Sequence, residues 1–199
     1  MAQPRLILAS GSRYRSQQLA SAGYEFAVQP PNIDESMRPN ESPLELAKRL
    51  AYQKAIAVLT VRPNAVVVGS DQVCALDDSA LGKPGAADAA IKQLQTMANR
   101  TVTFHSAVAV LSANRAKQFV VPTEVVMRDL TTQEIENYVA LDSPLDTAGA
   151  IKSEQRGALL FERVTSDDPS ALVGLPLIQL AATLREFSIN PLVVAAPNS

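Results

Sequence analysis

A chain of 199 residues has room for one domain, or one domain of two lobes, and not for two fully independent domains. Hydrophobic residues make up 47 % and charged residues 19 %, a globular balance that excludes an intrinsically disordered protein. A formal net charge of −2 excludes a protein held on nucleic acid by a general basic surface, so an anionic ligand must be caught by a local basic cluster.

In chain order, the opening MAQPRLILAS carries one Arg and a short apolar run. It is too short and wrongly flanked for a signal peptide, and no run approaches membrane-spanning length. Residues 5–10 read as a buried strand ending in a polar turn, and 13–22 as a helix closed by Gly23. Phe26-Ala27-Val28 is strand-like, and 30–41 is a loop rich in Pro, Asn and acids. Ser42 then caps a helix, Pro43 fits its first position and Glu45 completes a capping box. Leu46, Leu50, Ala51, Ala55 and Val58 keep helical spacing along one side of it.

Ala65-Val66-Val67-Val68 reads as a central strand buried on both faces, expected to end in Gly69-Ser70-Asp71-Gln72. Residues 86–97 read as a helix, and 102–111 and 119–127 as two strands joined by a turn around Asn114. Thr131 with Glu134 forms a second capping box, opening a helix to about Leu141. Residues 158–164 are predicted as a strand and 175–187 as a helix entered through Pro176; the tail after Pro191 reads as dispensable. Strands and helices interleave, which predicts a single α/β domain, with two lobes over residues 1–199, around a mixed sheet. The two consecutive strands in the middle argue against a strictly alternating doubly wound sheet.

The only cysteine, Cys74, has no partner for an internal disulfide, so a cytoplasmic location is expected. With one Cys and one His (His105), a zinc site built from those residues is excluded, and any metal must take oxygen ligands, as Mg²⁺ or Mn²⁺ does. A Cys74–His105 nucleophilic pair is conceivable, but both residues lie in strand-like runs and read as packing positions. Gly82-Lys83 invites a phosphate-loop reading, yet the first Gly of that motif would fall on Asp77, and Pro84 replaces its Ser/Thr. The first strand–turn–helix has Gly11 alone and lacks a glycine-rich fingerprint.

Three clusters remain. Ser10-Gly11-Ser12-Arg13-Tyr14-Arg15 joins a strand to a helix N-terminus, where free amides, hydroxyls and guanidiniums suit a triphosphate; a capped helix with solvated arginines is the other reading. Asp34, Glu35 and Asp71 form an acidic set suited to a hard cation and to orienting a water, although loop acids are often merely solvated. Lys54, Lys83 and Lys152 form a basic set, each of which singly reads as a surface charge.

Taken in order, these stretches resemble the Maf family of nucleoside triphosphate pyrophosphatases. The resemblance rests on Leu-Ile-Leu-Ala-Ser-Gly-Ser at 6–12, Asp34-Glu35-Ser36, the Glu45 helix through Lys54-Ala55 and Gly69-Ser70-Asp71-Gln72-Val73. Gly82-Lys83-Pro84, Ala148-Gly149-Ala150-Ile151-Lys152-Ser153-Glu154 and Val173-Gly174-Leu175-Pro176-Leu177 complete it, so it covers nearly the whole chain. It implies an elongated α/β fold, similar to that of inosine triphosphate pyrophosphatases, with a twisted mixed sheet and a cleft between two lobes. It also implies hydrolysis between the α and β phosphates of a nucleoside triphosphate, with a divalent metal (Mg²⁺ or Mn²⁺) near Glu35 and Asp71. By the same resemblance Asp71 accepts the proton of the attacking water, Lys54 and Lys83 assist, Ser10, Ser12, Arg13 and Arg15 engage the triphosphate, and a homodimer is suggested. Arg13 departs from the family, standing where a proline is usual.

The details resemble the branch that acts on 7-methyl-GTP. Gln72 follows Asp71 where the branch acting on dTTP and UTP usually has Thr, and Lys152-Ser153-Glu154 departs from that branch's glycine-containing stretch. Guanine presents two donors suited to Glu154, and methylation at N7 adds a positive charge that Tyr14 and Glu154 would favour, with Gln72 reading the remaining edge. The alternatives are the same reaction on another base, and a non-catalytic nucleotide-binding regulator.

Overall fold

The computed structural model describes residues 5–193; residues 1–4 and the end of the tail, 194–199, lie outside the described residues. Two local signals set the frame. Ser42 and Glu45 close a reciprocal capping box at the start of α2 (Pro43–Val61), and Thr131 and Glu134 do the same for α4 (Thr132–Asp142). A hydroxyl cap of this kind contributes about 1 kcal/mol, enough to fix where each helix begins. The other helices are α1 (Arg13–Ser21), α3 (Ala87–Met97) and α5 (Leu177–Glu186). The buried carboxylate of Asp168 accepts hydrogen bonds from the amides of Ile178 and Gln179, so α5 is capped from outside its own sequence.

The strands are β1 (Leu6–Ala9), β2 (Ala27–Val28), β3 (Val66–Leu76), β4 (Ser79–Leu81), β5 (Thr101–Ser112), β6 (Arg115–Met127) and β7 (Phe161–Ser166). They form one seven-stranded sheet in the order β2-β1-β3-β5-β6-β7, with β4 paired to β3. β1 runs parallel to β2 and β3, and every other pairing is antiparallel. The sheet is mixed, as the interleaved pattern predicts.

Three boundaries differ from the sequence reading. β3 does not stop at Gly69 but continues to Leu76, because β5 pairs with it without a break from Val67 to Ala75. β6 begins at Arg115, since the hairpin with β5 closes tightly at Ser112 and Arg115. Residues 156–160 form a 3₁₀ turn, so the strand expected from Ala158 begins instead at Phe161, as β7.

The edge of β3 opposite β5 is shared by two short strands. β1 pairs with Val66 to Gly69, and β4 pairs with Cys74 to Leu76. Residues 70–73 therefore face a gap in the sheet between the two. Side chains alternate across this strand. Val67 and Val73 face α2, with Leu50, Ala51, Ala55 and Val58. Val66 and Val68 face the other way, onto Leu19 of α1 and Leu180 and Leu184 of α5. Cys74 and Leu76, farther along, enter a third cluster with Leu94 of α3 and Ile135 of α4. The gap lies where these three packed regions meet.

Candidate active site

Asp71 sits in the gap of β3, 8 % exposed. Gly69, two residues earlier on the same face, lies directly under α2: a β-carbon there would stand 2.2 Å from the carbonyl oxygen of Ala51. With that close approach, the next residues of α2 carry Lys54 over the strand, and its ammonium donates to Asp71 Oδ1 at 2.6 Å. The same nitrogen is 2.8 Å from Glu35 Oε1, which arrives from the loop between β2 and α2. Lys54 is buried and Asp71 nearly so, whereas the Glu35 side chain is 51 % exposed. Partial burial opposes the charge on Glu35, but the hydrogen bond and charge of Lys54, with Lys83 and Arg15 farther off, hold its carboxyl below the usual value.

The start of α1 forms one end of the site. Ser12 is its N-cap, with the Arg15 amide 3.4 Å from its hydroxyl. The buried Ser10 hydroxyl accepts from the Ser12 amide at 3.1 Å and from the Arg15 guanidinium at 3.4 Å. Arg15 Nε also donates to the Gly174 carbonyl at 3.1 Å. Burial pulls the Arg15 pKa down while Asp71 and Glu35 oppose it, so this cation shares one field with the acidic pair. Lys83 is exposed on the loop after β4; that loop is held where the Gly85 amide donates to the Leu145 carbonyl at 3.0 Å.

Both groups line a cleft of about 880 Å³, together with Tyr14, Gln72, Lys83, Glu154 and the 172–174 segment. Because the cleft opens through the gap in the sheet, residues from both faces of β3 border it. Arg13 is exposed and lies 4.9 Å from the centroid of the Tyr14 ring, with its guanidinium donating to the Tyr14 hydroxyl at 2.9 Å. Arg13 lines the same cleft as Ser10 and Arg15, with its guanidinium engaged by Tyr14. Gln72 has its amide nitrogen committed: it donates to Ser106 Oγ, to the Ala171 carbonyl and to the Leu172 carbonyl at 2.9–3.1 Å. Ser70 donates to the Gly174 carbonyl and Ser106 to that of Ala171. These polar side chains of β3 and β5 strap the 171–174 wall of the cleft in place, a role the sequence reading missed. The sequence hint was the polar run 70–72 inside an otherwise apolar strand.

Four candidates from the sequence stand apart. Asp34 is exposed and caps its own loop through the Ser36 amide and hydroxyl, at 2.9 and 2.7 Å. Lys152 is buried and turned away, donating to the carbonyls of Asp142 and Ser143 at 2.9 and 3.0 Å, at the end of α4. Cys74 is fully buried, and burial pushes its thiol up to about 12, far from a nucleophilic thiolate. His105 lies on β5, where burial lowers its pKa and favours the neutral ring.

The donor set suits a hard cation of the Mg²⁺ type. Glu35 and Asp71 present carboxylate oxygens to one shared positive centre, now Lys54 Nζ. Among the described residues no group of three or more His, Cys, Asp or Glu side chains converges, so the remaining positions would fall to water and phosphate oxygens. That division between one or two carboxylates and a phosphate substrate is the usual one for Mg²⁺.

The profile of Maf-like proteins matches residues 5–187 of this chain. A protein of Xanthomonas oryzae pv. oryzae, named 7-methyl-GTP pyrophosphatase, is 50 % identical over 187 residues, covering 94 % of this chain and 98 % of its own. Proteins with the same name from Cupriavidus pinatubonensis and Bordetella pertussis are 48 % and 42 % identical. The Cupriavidus match covers 92 % of this chain and 93 % of the relative; the Bordetella match covers 95 % of each.

Proposed function

The chain belongs to the Maf family, and from that premise we propose that it is a nucleotide pyrophosphatase that hydrolyses 7-methyl-GTP to 7-methyl-GMP and pyrophosphate. The observation that carries this reading is the Glu35–Lys54–Asp71 triplet in the cleft, beside the Ser10/Arg15 end of α1. Acids and cations held this close to one another serve charge neutralisation and water activation, and binding alone needs no buried acid there.

In this mechanism the triphosphate lies against the start of α1, between Ser10, Ser12 and Arg15 on one side and Lys83 on the other. Asp71 takes a proton from a water in the gap of the sheet as the oxygen of that water bonds to the α phosphorus. The bond from the α phosphorus to the α–β bridging oxygen breaks, and pyrophosphate leaves with its charge offset by Lys54, Lys83 and Arg15. Lys54 orients the Asp71 carboxylate through their 2.6 Å hydrogen bond. Glu35 and Asp71 would hold the divalent cation, Mg²⁺ or Mn²⁺, which when bound neutralises phosphate charge and orients the reacting groups.

The base then faces Tyr14 and Glu154, which line the same cleft. Guanine offers N1–H and an exocyclic amine to the Glu154 carboxylate, and the N7-methylated ring is a cation suited to an aromatic face and an anion. Gln72 acts on the base through the wall it holds, because its amide nitrogen is already used. Removal of modified nucleotides is the matching cellular role. A cytoplasmic location suits the lone reduced cysteine, and a homodimer is the assembly we expect; among the described residues no helix is long and apolar enough to cross a membrane.

The test is pyrophosphate release with Mg²⁺ or Mn²⁺ over 7-methyl-GTP, GTP, dTTP, UTP, CTP and ATP, beside Asp71→Asn. Preferred turnover of 7-methyl-GTP that vanishes in the variant is the expected result. Preference for another base would overturn the assignment of Glu154, and binding without turnover of any nucleotide would favour a regulator.

A further inference from the structure

Glu35 is half exposed and sits on a segment with no helix or strand of its own, yet its carboxylate is placed within 2.8 Å of Lys54. What holds that segment is a second charged group on α2, outside the reacting set. Arg49 Nε and Nη2 grip the two oxygens of Glu41 at 2.6 and 2.8 Å, a bidentate fork. Nη2 also donates to the carbonyl of Ser36, the residue next to Glu35, at 2.9 Å, and Nη1 donates to Gln53 at 2.9 Å. Glu41 in turn accepts from the Arg38 amide at 3.0 Å. The two side chains are 13 % and 9 % exposed, and the guanidinium beside Glu41 holds its carboxyl at about 2.

We infer that Arg49 and Glu41 are positioning residues for the reaction: they hang the 34–41 loop from α2 so that Glu35 meets the ammonium carried by the same helix. One rigid helix thereby sets both sides of the Glu35–Lys54 contact. A fork of five fixed donors does this in a way a lysine cannot, since Lys offers a single mobile point charge. The inference rests on the reading of Glu35 as part of the reacting centre.

The test is a double-mutant cycle over Glu35→Gln and Arg49→Ala, with Arg49→Lys and Glu41→Gln beside it. It measures kcat and KM, the Mg²⁺ concentration for half-maximal rate, thermal melts, and amide hydrogen exchange over residues 34–41. Groups that orient a first ligand typically matter about 10–100-fold, so Arg49→Ala should lower kcat/KM by that factor and raise the Mg²⁺ requirement. In the Glu35→Gln background the same substitution should cost less than about threefold, because residues that act through one hydrogen-bond network are not additive. Exchange at 35–41 should speed up in Arg49→Ala, Arg49→Lys and Glu41→Gln while the core amides keep their protection. Equal losses in both backgrounds, or unchanged exchange in the loop, would overturn the inference and leave the role of Glu35 intact. If Glu35→Gln alone leaves turnover unchanged, the reading of Glu35 fails and the inference fails with it.

Discussion

Gly69→Ala adds a single methyl at the floor of the cleft and touches no substrate-facing group. That methyl would stand 2.2 Å from the Ala51 carbonyl oxygen, 2.6 Å from the Ala55 amide nitrogen and 2.9 Å from the Ala55 β-carbon. Two of these atoms are helix backbone, which has no rotamer to change. Relief therefore requires α2 to lift off β3 by about 1 Å, and overpacking of this kind costs about 1–3 kcal/mol. For a domain of this size that lowers Tm by about 2–12 °C and leaves the protein folded at room temperature. Lys54 rides on the same turn as Ala51 and Ala55, so the lift stretches its 2.6 Å contact with Asp71 beyond hydrogen-bonding range. Misplacement by about 1 Å in a preorganised site costs roughly 100-fold, or about 2.7 kcal/mol of transition-state stabilisation. The assay is kcat/KM for pyrophosphate release from 7-methyl-GTP, beside a thermal melt on the same preparation. A folded variant within about threefold of wild-type turnover would refute the argument that helix-to-strand distance sets the site.

Stability should depend on pH through Glu41, whose carboxyl lies at about 2 in the folded protein against an ordinary value of 4.5. A depressed folded pKa means its contribution is complete above about pH 4.5 and is lost as pH falls toward 2. The difference in urea midpoint between wild type and Glu41→Gln should thus be constant above pH 5 and shrink below it; a constant difference down to pH 3 would sink this account. Lys152→Met should lower Tm, because the carbonyls of Asp142 and Ser143 lose a buried partner at a cost of about 1–3 kcal/mol, while kcat stays within a fewfold of wild type. Turnover lost without a change in Tm would contradict this structural role of Lys152. Cys74, with its thiol pushed up to about 12, should resist a thiol reagent at pH 8 in the folded protein and react fully in denaturant. Equal rates in both states would contradict its burial.

What the sequence made legible was local. The capping boxes at Ser42 and Thr131 are complete within four residues, and both helices begin where those residues say. The apolar run at 65–68 was legible for the same reason, since burial on both faces leaves no polar alternation to misread, whereas β5 alternates over Thr101–His105 and is buried on both faces from Ser106 to Leu111. The missed features depend on residues far apart in the chain. β4 is three residues, Ser79-Ala80-Leu81, too short for any period, and exists because β3 continues far enough to pair with it. Gln72 finds its carbonyl partners about a hundred residues later, at Ala171 and Leu172, which no spacing along the chain announces. Lys152, grouped by charge with Lys54 and Lys83, belongs instead to the end of α4.

The position of Asp71 shows why the end of a strand and the place where a ligand binds are separable. In the sequence, Gly69-Ser70-Asp71-Gln72 after an apolar run looks like a strand giving way to a loop, the common location for ligands in α/β sheets. In the structure, β3 runs straight through these residues, and its neighbours end instead: β1 stops at Ala9, opposite Gly69, and β4 stops at Leu81, opposite Cys74. The opening is therefore made along one edge of a continuous strand, whose other edge stays locked to β5 from Val67 to Ala75. That arrangement gives Asp71 a rigid backbone and an open side at once. A loop would supply the opening without the rigidity, and an uninterrupted sheet the rigidity without the opening. Preorganised charge is effective only when it does not have to be reassembled in each turnover, and a gap between two short strands provides that condition here.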